Sequence, residues 1–118
     1  MKFIFKFELN AYEIKEKFYN ARSSVFSMGK LLFYTTPCKL FTEYAKRINT
    51  SFSQNPVIDV QLTNDYIGYL PTIEAIKHGG YSTEISSRAT TSVGGEVLIE
   101  RITEMLKELC NYIDIKEK

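Results

Sequence analysis

The chain has 118 residues, 44% of them hydrophobic and 25% charged, with a formal net charge of +1. One domain is the expectation at that length, and its core needs no disulfide or metal support, which becomes necessary mainly below ~40 residues. The near-zero charge argues against the concentrated basic face of a nucleic-acid binder. No apolar run approaches the ~20 residues of a transmembrane segment.

From the N-terminus, Phe3, Phe5, Phe7 and Leu9 alternate with Lys2, Lys6 and Glu8, the period-two pattern of a half-buried strand. The same charges interrupt the apolar run, so the segment lacks the h-region of a signal peptide, and a cytoplasmic location is the default expectation. A helix is expected over residues 11–22, with Ala11, Ile14, Phe18 and Tyr19 on one face. Residues 1–27 thus read as a strand–helix extension.

Residues 31–35 form an aromatic-rich apolar run that reads as a second strand. Thr36-Pro37 then carries a helix-start signature, with Thr36 as N-cap and Pro37 at the first helical position. Leu40, Phe41, Tyr44 and Ile48 supply that helix's apolar stripe, and Glu43, Lys46 and Arg47 its outer face. Lys39 falls at the third helical position. A glutamate there would complete a capping box and suit the positive end of the helix dipole, and a lysine does neither.

After a polar loop, Ile58, Val60 and Leu62 alternate with Val57, Asp59 and Gln61 in a third strand. Residues 63–92 are mostly loop chemistry, with a short helix expected over 72–77. A loop of about 30 residues is uncommon in a compact domain and is usually functional or disordered. This one carries Tyr66, Tyr69, Tyr81 and His78, too aromatic a set for disorder, and it follows the end of a strand, where α/β folds place ligands. The last element is amphipathic: Leu98, Ile102, Met105, Leu106 and Leu109 recur at helical spacing between Gly94 and Tyr112. The expected fold class is α/β, a small layered sheet with flanking helices, a long tyrosine-rich loop and an amphipathic C-terminal helix, in a single domain over 1–118.

The chemistry visible in the residues is sparse. Cys38 and Cys110 form no CxxC pair and read as free thiols of a reducing compartment. A hydrolytic metal site needs about three protein ligands and an open position, but His78 is the single histidine. His78-Gly79-Gly80 reads as a helix end, since no G-x-S-x-G elbow accompanies it. Gly94-Gly95 offers backbone N–H groups to an anion, though an ordinary helix start is the simpler reading.

Four segments in order carry a resemblance: Thr36-Pro37-Cys38-Lys39-Leu40-Phe41; Gln61-Leu62-Thr63-Asn64-Asp65-Tyr66-Ile67-Gly68-Tyr69-Leu70-Pro71-Thr72; Gly79-Gly80-Tyr81-Ser82; and Gly94-Gly95-Glu96-Val97-Leu98. Over about residues 28–109 the chain resembles the C-terminal part of the catalytic domain of the neutral (alkaline, non-lysosomal) ceramidase family. The resemblance assigns 28–112 to a ceramidase-like portion. It implies a zinc-dependent amidohydrolase that cleaves the N-acyl bond of ceramide-like lipids. That family holds its zinc with two histidines, a glutamate and a tyrosine. The tyrosine position falls at Tyr69 and the glutamate position at Lys39, while the histidines belong to a larger N-terminal portion.

A cationic lysine repels a metal, so the chain is expected to need no cofactor alone and to be inactive by itself. It then reads as a truncated or remnant hydrolase domain. The alternatives are the C-terminal half of a split amidohydrolase, completed by a separately encoded N-terminal portion, and a repurposed lipid- or protein-binding module. In the last case Asn64, Asp65, Tyr66, Tyr69, His78 and Tyr81 are the ligand-loop candidates. Uncovered sheet surface would favour a homo-oligomer.

Overall fold

A computed structural model describes residues 12–14, 17–19, 22–81, 83 and 92–117. The protein is mixed α/β. Its centre is a three-stranded sheet of β3 (Val25–Met28), β4 (Leu31–Thr35) and β6 (Val57–Val60), in the order β3-β4-β6. Strand β3 runs antiparallel to β4 through the Gly29-Lys30 turn, where Gly29 takes φ +62°, a value that suits glycine. Strand β6 runs parallel to β4, with Tyr34 opposite Asp59.

One face of this sheet carries Val25, Leu32, Tyr34 and Val57 into the core. Helix α3 (Ser92–Glu117) packs there, because Leu98, Ile102, Leu106 and Leu109 recur on its inward side and are all buried. Helix α1 (Thr42–Thr50) adds Tyr44 and Ile48. The other face of the sheet is also apolar. Phe26 stacks on Phe33 with ring centroids 4.7 Å apart, and Leu31, Ile58 and Val60 are between 37% and 39% exposed.

The expected helix over 11–22 is corrected by an antiparallel pair, β1 (Tyr12–Ile14) and β2 (Lys17–Tyr19), with Tyr12 opposite Tyr19. Tyr, Ile and Phe suit a pleated surface better than a lone helix, and a short amphipathic helix has little stability without packing. The expected strand over Phe3 to Leu9 lies outside the described residues.

The helix start expected at Thr36-Pro37 is also corrected. Residues 36–41 form no helix: the chain bends at Pro37 and Cys38, pairs as strand β5 (Lys39–Leu40), and reaches α1 through Phe41, whose side chain makes no cap hydrogen bond. Backbone pairing decides this. The Thr36 N–H donates to the Val60 carbonyl (3.1 Å), Lys39 to Gly68 (2.9 Å) and Phe41 to Leu70 (3.2 Å). The Thr36 hydroxyl points to the Cys38 carbonyl at 3.5 Å rather than capping a helix. Lys39 is therefore a strand residue, and the capping-box argument does not apply to it.

The later elements follow their local signals more closely. Helix α2 (Ile73–His78) starts at Thr72, whose side-chain oxygen accepts from the Ala75 N–H at 3.1 Å, and ends at Gly79 with φ +65°. Helix α3 begins at Ser92, so Gly94 and Gly95 lie inside it rather than ahead of it. Both cysteines are free: Cys38 is buried and Cys110 half-buried.

Candidate functional site

The site forms where the loop after β6 returns along β5. Leu62 (φ 55°) and Asn64 (φ 65°) turn the chain in the left-handed region. That turn sends the Thr63 N–H to the Thr36 carbonyl (3.0 Å) and the Ile67 N–H to the Pro37 carbonyl (2.9 Å). Gln61 clamps the other side: the Leu40 N–H donates to its Oε1 (2.9 Å), and its Nε2 donates to the Leu40 carbonyl (3.3 Å). The returning chain becomes β7 (Tyr69–Leu70), parallel to β5, with Tyr69 opposite Lys39 and Leu70 opposite Leu40.

This register sets Lys39 Nζ 3.4 Å from the Tyr69 hydroxyl, a long donor contact. The ammonium lies 5.1 Å from the centroid of the Tyr69 ring and 6.0 Å from that of Tyr66, within cation–π range for both. The hydroxyls of Tyr69 and Tyr81 are 3.3 Å apart, and their rings meet edge to face at 5.9 Å. Among the described residues Lys39 forms no ion pair with a carboxylate. The neighbouring Tyr69 hydroxyl holds the Lys39 ammonium above the ordinary lysine pKa, so it stays charged at neutral pH.

A groove of about 320 Å³ opens beside the ammonium between Lys39, Leu40, Phe41, Thr42, Glu43 and Tyr69. Its one acidic group, Glu43, turns to Lys46 at 3.6 Å. The expected loop candidates divide here. Tyr66, Tyr69 and Tyr81 converge on Lys39 or on one another. Asn64 shapes the turn, Asp65 accepts the Tyr66 N–H at 2.7 Å, and His78 closes α2 exposed to solvent. Sequence reading misses Gln61 and Phe41. Gln61 gives no signal beyond its place at the end of an alternating strand, and Phe41 reads as helix stripe rather than groove wall.

A second polar group lies below, at the C-terminal ends of β4 and β6. The Tyr34 hydroxyl and Asp59 Oδ1 are buried without a hydrogen bond of regular geometry, while Asp59 Oδ2 accepts from Gln61 Nε2 at 2.8 Å. Burial pushes the Asp59 carboxyl above the ordinary carboxylate pKa and the Cys38 thiol up to about 12. Cys38 thus stays protonated and is no nucleophile.

The residues do not fit the zinc that the ceramidase resemblance implies. Among the described residues no three His, Cys, Asp or Glu side chains gather to hold a metal ion. The position opposite Tyr69 presents an ammonium where a metal needs an electron pair. No helix among the described residues is long and apolar enough to cross a membrane. Comparison with protein-family models, curated proteins and solved structures finds no match to this chain.

Proposed function

We propose that the chain is a remnant of a neutral-ceramidase-like hydrolase domain in which the Lys39 side chain has replaced the metal and with it the catalysis. The observation that carries this reading is the pairing of Lys39 with Tyr69 across β5 and β7. These are the two positions that the resemblance assigns to zinc ligands, 30 residues apart in sequence and joined here by a 3.4 Å contact. An ammonium beside the phenol supplies positive charge at that point without a metal. An ammonium coordinates no water and so generates no metal-bound hydroxide, the nucleophile a hydrolytic zinc supplies.

The test pairs metal content with turnover. The purified chain, incubated with zinc and dialysed, is expected to retain well under 0.1 zinc per chain and to release no fatty acid from a fluorescent short-chain ceramide. One zinc per chain together with turnover overturns the reading. Lys39→Glu is expected to gain measurable zinc affinity that is lost again in Lys39→Glu/Tyr69→Phe. No gain in Lys39→Glu would contradict the ligand assignment itself.

The same reading favours self-association over a separately encoded partner, because Lys39 would obstruct the metal in a reassembled enzyme as much as in the isolated chain. The apolar outer sheet face at Leu31, Ile58 and Val60 is the surface available for it. Sedimentation of the pure protein is expected to show a dimer, and a clean monomer at high concentration counts against it.

A further inference from the structure

We propose that Lys39, Tyr69 and the adjoining groove form a binding site for a carboxylate carrying a short apolar tail. The site stands on the cluster's own chemistry, whatever the ancestry of the chain.

The ammonium has three N–H donors, and the Tyr69 hydroxyl engages one of them. The other donors face a cluster of phenols, and among the described residues no carboxylate of the chain neutralises the charge. A carboxylate oxygen can accept from Lys39 in a charge-assisted hydrogen bond. The Tyr69 and Tyr81 hydroxyls, 3.3 Å apart, form the polar side of the cluster next to the ammonium. Among the described residues the rim of the cluster faces solvent, Tyr66 being 57% and Tyr81 83% exposed.

Charge selects the class of ligand. A single ammonium matches a single negative charge, and the Glu43 carboxylate on the groove wall disfavours a phosphate dianion. Shape selects the tail. Leu40 and Phe41 line the groove beside Lys39, and its 320 Å³ has room for several methylenes, whose burial there favours a ligand with an apolar tail. A carboxylate at the ammonium therefore directs its tail along an apolar wall.

The probes are sodium acetate and sodium octanoate, titrated at fixed ionic strength against chloride and followed by the NMR signals of the Lys39 ε-methylene and the tyrosine rings. Both are expected to shift these signals saturably, octanoate at least tenfold more tightly, whereas neutral octanamide leaves them unmoved. Lys39→Met is expected to weaken octanoate at least tenfold, and Lys39→Arg to keep it within about threefold. Undiminished binding by folded Lys39→Met, or equal response to chloride and acetate, overturns the carboxylate site. Equal affinity for acetate and octanoate overturns the groove as the seat of the tail. Zinc uptake by the wild-type chain would defeat the reading that Lys39 has replaced the metal but leave these titrations to decide the carboxylate site on their own.

Discussion

Tyr44 stands over Gly95 so closely that a Cβ added at the glycine would lie 2.5 Å from the Tyr44 hydroxyl oxygen and 3.2 Å from Cζ. Tyr44 cannot easily retreat, because it is fully buried and its hydroxyl donates to the Pro71 carbonyl at 3.2 Å. A glycine inside a helix costs roughly 0.5–1 kcal/mol relative to alanine, so this one holds its place by close packing. Gly95→Ala should therefore lower stability by about 1–3 kcal/mol through overpacking, despite its better helix propensity. Urea denaturation reads this directly. Tyr44→Phe should remove the closest clash and make the alanine less damaging in that background, and a stabilising Gly95→Ala in the wild type would refute the packing account.

Asp59 should make the protein less stable as pH rises. Its folded pKa lies above the ordinary value because burial disfavours the carboxylate. The folded state thus holds its proton more tightly than the unfolded chain. The penalty is absent below the unfolded pKa of about 4, grows as pH climbs toward the folded pKa, and is complete above it. Asp59→Asn retains an oxygen for the Gln61 amide and offers a donor to the Tyr34 hydroxyl. It should match wild type near pH 3 and exceed it by about 1 kcal/mol at pH 7. Denaturation midpoints for both proteins across that range check the sign, and a gap that narrows with rising pH would contradict it.

Periodicity makes α3 legible, because Leu98, Ile102, Leu106 and Leu109 can only share a side in a helix, and they are all buried. Helix α2 is legible from its Thr72 cap and Gly79 stop. Residues 36–41 are not, since Thr36-Pro37 carries a true helix-start signal that loses to backbone hydrogen bonds donated by Thr36, Lys39 and Phe41 to the carbonyls of Val60, Gly68 and Leu70. Those partners lie 24 to 29 residues away, beyond any local window. The site shows the same division. Its tyrosines stand out as an aromatic excess in a long loop, but their convergence on Lys39 depends on the parallel β5–β7 register. Lys39 is anomalous under the helix reading for a reason that disappears in the fold, and it remains notable for a different one.

Arg47 and Glu96 join α1 to α3 by a two-pronged ion pair, Nη1–Oε1 at 2.8 Å and Nη2–Oε2 at 2.7 Å. The hydrogen bonds from Arg47 hold the Glu96 carboxyl below its usual pKa. Its contribution is therefore present above the unfolded pKa and disappears as pH falls through the folded one, opposite in sign to Asp59. Both side chains are partly exposed, so the pair contributes no more than about 1 kcal/mol. Glu96→Gln should cost about that much at pH 7 and nothing near pH 2. A pH-independent loss would assign the effect to packing instead.

Leu62 holds φ 55°, a left-handed conformation that costs a residue with a Cβ roughly 1–2 kcal/mol. It is 46% exposed, so little burial offsets that cost. What fixes the conformation is the backbone: the Leu62 N–H reaches the Cys38 carbonyl at 3.4 Å, and Thr63 the Thr36 carbonyl at 3.0 Å, which together seat the loop on β5. Asparagine tolerates this region and keeps the same N–H. Leu62→Asn should raise stability by about 0.5–1 kcal/mol, while Leu62→Val, whose branched Cβ crowds the backbone further, should lower it. The difference should also reach the site, because the turn at Leu62 positions Tyr69 against Lys39. Leu62→Val is expected to broaden the Tyr69 ring signals as well as reduce the denaturation midpoint. Ring signals and midpoint unchanged in both variants would show that the turn carries no strain and does not govern the register.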